Sequence, residues 1–219
     1  MQPEMIELIV NGVWETLYMT LVSTAASYVL GIPLGVILYL TDAKGVCANR
    51  AINLIVGTVV NILRSIPFLI LLVLIMPFTR LVVGTTIGST ATIVPLVVAA
   101  APYVARMVES SLKEVDPGVV EAARAMGSSV PQMIVKVFLP EARPSLLVGA
   151  AISLATILGY SAMAGFVGGG GLGAIATNYG YYRYQFDVLV ITVILLVVIV
   201  QIFQEGGLAL VRKTDKRLR

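Results

Sequence analysis

Apolar runs of about 20 residues are long enough to cross a hydrocarbon core as helices. Five such runs occur along the chain, at 16–40, 52–76, 87–108, 146–167 and 188–211. They predict an all-α membrane protein with five transmembrane helices in a single domain over 1–219. Between the third and fourth runs the pattern changes. Asp116 and Pro117 read as an N-cap and a first helical position. Val119, Val120, Ala123 and Met126 then recur at helical spacing, with Glu121 and Arg124 on a more polar side. Gly127 ends that helix, as a glycine past the last turn does. Ser129 with Gln132 predicts a capping box for a second short helix. Met133, Ile134, Val137 and Phe138 give it an apolar stripe, and Pro140 stops it. The segment 113–143 is thus predicted to be a two-helix elbow whose apolar side needs a partner.

Departures from apolarity inside the runs mark further positions. Ser23, Ser27, Gly31 and Gly35 share one face of the first, where small residues allow close helix packing. Packing within the chain is preferred there over a subunit contact. Pro33 predicts a bend, and Pro95 and Pro102 predict kinks in the third run. Arg64 interrupts the second run beside Pro67. An arginine at membrane depth either marks function or snorkels to an interface, against carbonyls that the proline frees. Arg106 and Glu109 read as interfacial anchors. In the fourth run Gly159, Tyr160, Ser161, Ala162 and Ala164 surround one long flexible residue, Met163. Ala151, Ala155 and Gly159 form a four-residue ladder that continues its face. A thioether on a face of small residues can plug a narrow opening and swing aside, or it can fill a gap against a neighbouring span. Gly168 to Gly171 and Gly173 predict a tight or re-entrant turn. Tyr179, Tyr181, Tyr182 and Tyr184 form an interfacial aromatic belt, or else a docking surface.

Composition narrows the chemistry. Of 219 residues, 58% are hydrophobic and 12% charged, about half the charge of a soluble domain, where charged residues are about 25%. Histidine is absent and Cys47 is the only cysteine. That excludes His-based triads, His metal sites and an intrachain disulfide. No GxxxxGK[ST] loop occurs, so ATP hydrolysis is not expected on this chain. No secretory signal peptide is evident, since Glu4, Glu7 and Glu15 come before any Lys or Arg. Lys44 and Arg50 follow the first run, and Lys113, Arg124, Lys136 and Arg143 lie in or near the elbow. Arg212, Lys213, Lys216, Arg217 and Arg219 form a basic tail. The opposite loops hold only Arg80 and Arg183. This asymmetry predicts the N-terminus outside and the elbow and C-terminus in the cytoplasm. Basic and acidic residues balance around the elbow, so no nucleic-acid footprint is expected.

Glu121, Ala122, Ala123, Gly127, Val137, Leu139 and Pro140 reproduce the spaced signature by which ABC-importer permeases couple to their ATPases. The only departure is valine where isoleucine is commoner. The chain therefore resembles that family. GVWETLYMT, NILRSIPF, APYVARMVE and GYSAMAGFVGGGGLG, starting at Gly12, Asn61, Ala101 and Gly159, look like its methionine-import branch. The resemblance implies a homodimer in the bacterial inner membrane with a path between subunits. It implies two cytoplasmic ATPase subunits that carry ATP and Mg, and an extracytoplasmic binding protein that delivers D- or L-methionine. Met163, with Ser161, Tyr160 and Gly159, is expected at the gate, and Arg64 at a structural or pathway position. Permeases for other polar amino acids or small solutes are the nearest alternative. An ion-driven carrier would call for intramembrane Asp, Glu or His, and none is seen.

Overall fold

The computed structural model describes residues 3–214, whose regular structure is all helical, with no strand among them. The first helix, α1, runs Pro3–Thr41, well beyond the apolar stretch expected from 16. Its early turns are held by tertiary contact. Ile9 is buried with Leu172, Ile175 and Val188, and Met5, Leu8 and Val13 pack around them. The helix continues through Pro33 without interruption.

The second span is the main departure from expectation. It is not one helix but two, α2 (Arg50–Ser65) and α3 (Phe68–Leu74), set at 103° to each other. The cause is local. Pro67 has no N–H to continue the ladder, and it pushes the preceding residue out of helical geometry. Ile66 is accordingly extended, at φ −82° and ψ 124°. The turn lets α3 bury Phe68, Leu71 and Leu72, of which Phe68 and Leu72 meet Met19, Leu96, Ala100 and Ile157. A short helix α4 (Met76–Val83) ends at Gly84 in the left-handed conformation, φ 83°.

Helix α5 (Ser89–Lys113) is the central element, and it continues through Pro95 and Pro102. Its main neighbour is α1, and the small-residue face of α1 explains why. A Cβ at Gly31 would lie 2.6 Å from Val104 Cγ1 and 3.1 Å from the Ala101 carbonyl oxygen. One at Gly35 would lie 2.6 Å from the Ala105 carbonyl oxygen. Ser23, Ser27, Gly31 and Gly35 are all buried. The close-packing face is thus satisfied inside the chain.

The elbow follows as α6 (Pro117–Ala125) and α7 (Val130–Met133). A wide π turn, Ile134–Phe138, and the short α8 (Leu139–Glu141) lead on to α9 (Arg143–Ala164). Contrary to the expectation from sequence, Pro140 does not stop the chain's helical course. The π turn passes its hydrogen bond from Leu139 N–H to the Ile134 carbonyl, five residues back, and Pro140 sits early in the next turn, where no N–H is needed. After α9 the chain reverses through Gly165–Val167 and Gly168–Gly170 into α10 (Gly171–Ile175). A second π turn, Ala176–Tyr181, precedes α11 (Phe186–Thr214). By length and composition α1, α5, α9 and α11 can each cross a membrane, and the α2–α3 pair, bent by 103°, is a broken fifth span or a re-entrant loop. The basic residues Lys216, Arg217 and Arg219 lie outside the described residues.

Candidate functional site

The segment between α5 and α9 folds as α6, α7, the π turn and α8, and its motif residues divide into two groups. Asp116 caps α6, its carboxylate accepting the Gly118 N–H at 2.7 Å. Gly127 has φ 74° and ends α6; its own N–H reaches the Arg124 carbonyl, and Ser128 N–H reaches Ala123. Gln132 Oε1 accepts the Ser129 N–H at 2.9 Å, completing the capping box. Ala123, Met133 and Phe138 are buried with Val36, Leu40, Val108 and Leu112, and Val137 and Leu139 pack against that cluster. Phe138 is fully buried and meets Tyr39 edge-on at 5.1 Å. Glu121, Ala122, Gly127 and Pro140 are exposed, as are Val119, Met126 and Val135. One set of residues anchors the elbow and the other presents a surface with apolar tips. Between α6 and the loop after α1 lies a cleft of about 430 Å³ with Asp42, Lys44, Lys113, Glu121 and Arg124 on its walls.

Charged side chains lock α5 to its neighbours near the elbow. Glu109, 6% exposed, receives Arg106 at 2.6 Å and Lys113 at 2.7 Å. Arg106 also donates to the Gly57 carbonyl and to Asn61 Oδ1, which ties in α2. Lys113 reaches Asp42 at 3.1 Å, and this contact holds the Asp42 carboxyl below the usual carboxylate range. Arg106 and Glu109, expected to be plain interfacial anchors, form with Lys113 a clamp across three segments. Sequence spacing shows the Arg106–Glu109–Lys113 part, at i, i+3 and i+7, but not the reach to Asp42 or Asn61.

Met163 lies on the open side of α9, 46% exposed, and a Cβ at Gly159 would meet nothing within 4 Å. The other two residues expected beside them point elsewhere. Ser161 is 1% exposed and donates to the Leu158 carbonyl, and Tyr160 stacks on Phe68 at 4.7 Å. Helical rotation explains the split: two positions turn a side chain through about 200°. Ala151 also leaves the expected ladder, because it is buried where Gly207 of α11 approaches it. The open stripe instead runs Ser145, Ile152, Thr156, Gly159, Met163, all within about 40° of one direction at 100° per residue. At its start the stripe enters a groove of about 380 Å³ between α2, α5 and α9, with Arg64, Met107, Ser110, Glu114, Ser145 and Val148 on its walls. Arg64 is exposed there and makes no ion pair or side-chain hydrogen bond among the described residues.

Beyond Met163 the glycine hairpin closes the other end of α9. Gly165 and Gly173 bring the two arms into backbone contact, and a Cβ on either would overlap main-chain atoms of the opposite arm. Gly169 N–H bonds the Ala164 carbonyl, Thr92 Oγ1 donates to the Gly169 carbonyl, and Gly88 N–H bonds the Gly168 carbonyl. Glu15 and Thr16 of α1 accept the Gly171 and Leu172 N–H groups at 2.6 and 2.9 Å. Glu15 thus caps α10, a role that 156 residues of separation hide from any local pattern. Past the hairpin, Tyr181, Tyr182, Tyr184 and Phe186 are exposed together, and Arg183 lies over the Tyr179 ring at 4.4 Å.

Long apolar helices, the α6–α8 segment and the groove at the start of the open stripe make up the architecture of a membrane permease. The model of the binding-protein-dependent transport system inner membrane components matches residues 31–210, and the chain belongs to that family. A probable D-methionine transport system permease protein, MetI, of Vibrio cholerae is 52% identical over 211 residues, 96% of this chain and 94% of the relative. The D-methionine transport system permease MetI of Escherichia coli is 53% identical over 165 residues, 75% of this chain and 76% of its own. Among solved structures, a chain of the inward-facing MetNI methionine ABC transporter superposes with a TM-score of 0.97 at 50% identity, covering 99% of this chain and all of its own. An amino acid ABC transporter solved with histidines shares the fold, with a TM-score of 0.78 at 22% identity, over 95% of this chain and 94% of its own.

Proposed function

We propose that this chain is the membrane-spanning permease subunit of an ATP-driven importer for methionine. The observation that carries the reading is the match over almost its whole length to a chain of the MetNI methionine transporter. Two copies form the path. Separate ATPase subunits bind and hydrolyse ATP with Mg, and an extracytoplasmic binding protein delivers the amino acid. The elbow seats against the ATPases: Glu121, Ala122, Gly127 and Pro140 lie at the exposed surface, while Ala123, Val137 and Leu139 fix it to the bundle. The elbow faces the cytoplasm and the N-terminus faces out, in keeping with the placement of Lys and Arg. The tyrosine-rich tip beside the glycine hairpin is then on the outer side, available to the binding protein or to the membrane interface.

Met163 closes the path near the subunit boundary, with Gly159 leaving room below it. Tyr160 and Ser161 serve this gate from behind, by packing α9 against α3 and its own turn. Uptake of radiolabelled methionine by the complex in liposomes, loaded with its binding protein and ATP, tests the whole reading. Competition by unlabelled amino acids checks the substrate. Methionine that neither enters nor competes would overturn it. For the gate, Met163→Ala is expected to leave the assembled complex intact and to raise an ATP-independent leak of small solutes. A stable variant with no extra leak removes Met163 from that role.

A further inference from the structure

We infer that the groove holding Arg64 is a station for the carboxylate of the transported amino acid, and that Arg64 recognises it. The inference rests on the methionine-import reading above. Its first support is continuity: Ser145 on the groove wall and Met163 at the gate lie on one stripe of α9, about five turns apart. A solute moving past Met163 along this stripe toward the elbow side reaches the groove at the far end of α9.

The second support is the state of the two arginines. Arg106 is spent on Glu109, Asn61 and the Gly57 carbonyl. Among the described residues Arg64 has no such partner. A guanidinium at membrane depth is costly to keep unpaired. Its planar fork of donors matches a carboxylate in bidentate fashion. The bend at Ile66–Pro67 ends α2 at Ser65 and leaves Arg64 in its last turn, lining the groove.

The third support is the groove's mixed wall. Its volume, about 380 Å³, lies in the range of small-molecule clefts, about 300–1,000 Å³. Met107 and Val148 offer an apolar, polarisable surface for a thioether chain. Ser110 of α5 and Glu114, which caps its C-terminal end, line the same groove, and Glu114 makes no ion pair among the described residues. One end therefore suits a carboxylate, the middle a short apolar chain, and the elbow end an ammonium leaving for water. A zwitterion crossing the boundary between subunits needs such partners, because burying either charge bare is far costlier than pairing it.

The test uses the full permease–ATPase complex with Cys47→Ser and Ser110→Cys. The rate at which a methanethiosulfonate modifies the new thiol is followed without nucleotide. Methionine at millimolar concentrations is expected to slow the modification. Methioninol, with the same amine and thioether but no carboxylate, is expected to protect roughly tenfold less well. Adding Arg64→Gln should erase the difference between the two, and Arg64→Lys should retain part of it. Equal protection by methionine and methioninol overturns the assignment, as does carboxylate-dependent protection that survives Arg64→Gln. Protection absent from the Arg64-bearing complex overturns it too, even should Arg64→Gln fail to assemble. Uptake by the same complex separates the two readings. Import without protection removes the Arg64 station alone. Protection by methionine in a complex that does not import it removes the methionine-import reading alone.

Discussion

The elbow and the glycine hairpin occupy opposite ends of α9, and both turn the chain on glycines. They use them differently. At Gly127 a Cβ would meet no atom within 4 Å, and only the backbone angle, φ 74°, asks for glycine. At Gly165 and Gly173 the angle is not the issue; the opposing backbone occupies the Cβ position. The elbow is anchored by large side chains, Phe138 and Met133, driven into the bundle. The hairpin is anchored by main-chain contacts and by hydroxyl and carboxylate groups of α1 and α5. An element held by a buried aromatic root can present a free surface to a partner. An element held through its own backbone is rigid, which suits the end of α9 that carries Met163.

The sharpest way to break this comparison is to fill the hairpin. Gly165→Ala is expected to cost about 3 kcal/mol or more, since the atoms it meets are backbone and cannot rotate away. Denaturant or thermal unfolding in detergent measures it, and a cost below that of Gly127→Ala would contradict the contrast. Next in size is Gly127→Ala, which puts a Cβ on a left-handed residue at about 1–2 kcal/mol without a clash. Gly127→Asn should recover much of that loss, because asparagine tolerates the same angle. A Gly127→Asp complex should still insert but lose ATPase stimulation and uptake, if the elbow couples as proposed.

Glu15→Ala tests the remote cap on α10. Losing a capping carboxylate typically costs about 1 kcal/mol. The hairpin amides of Gly171 and Leu172 should exchange hydrogen faster while elbow amides are unchanged. The smallest effect concerns Asp42. Lys113 lowers its pKa, so the contact adds stability above the unfolded value of about 4. That stability fades as pH falls through the lowered folded value. The pair is half exposed, so about 0.5 kcal/mol or less is at stake. Asp42→Asn should remove this part of the acid dependence in thermal unfolding below about pH 4, and an unchanged profile would assign it elsewhere.

Much of this protein was legible without coordinates where physics acts over a few residues. Long apolar runs specify spanning helices because lipid offers no partner to a bare peptide group. The caps at Asp116 and Ser129 and the left-handed Gly127 follow local hydrogen-bonding and steric rules, so these helix ends could be read from spacing. Tertiary structure decided what depends on rotation and distant contact. The run 52–76 reads as continuous because apolarity does not record a 103° turn, although Pro67 marks its place. Ser161 and Tyr160 stand beside Met163 in sequence but turn inward, since a helix sends near neighbours to different faces. Pro140 looked like a stop because a π turn, which absorbs it, has no signature in the residue pattern. Glu15 on α10, Asp42 on Lys113 and Asn61 on Arg106 needed the folded chain. Polar contacts between remote segments obey geometry that no local periodicity encodes.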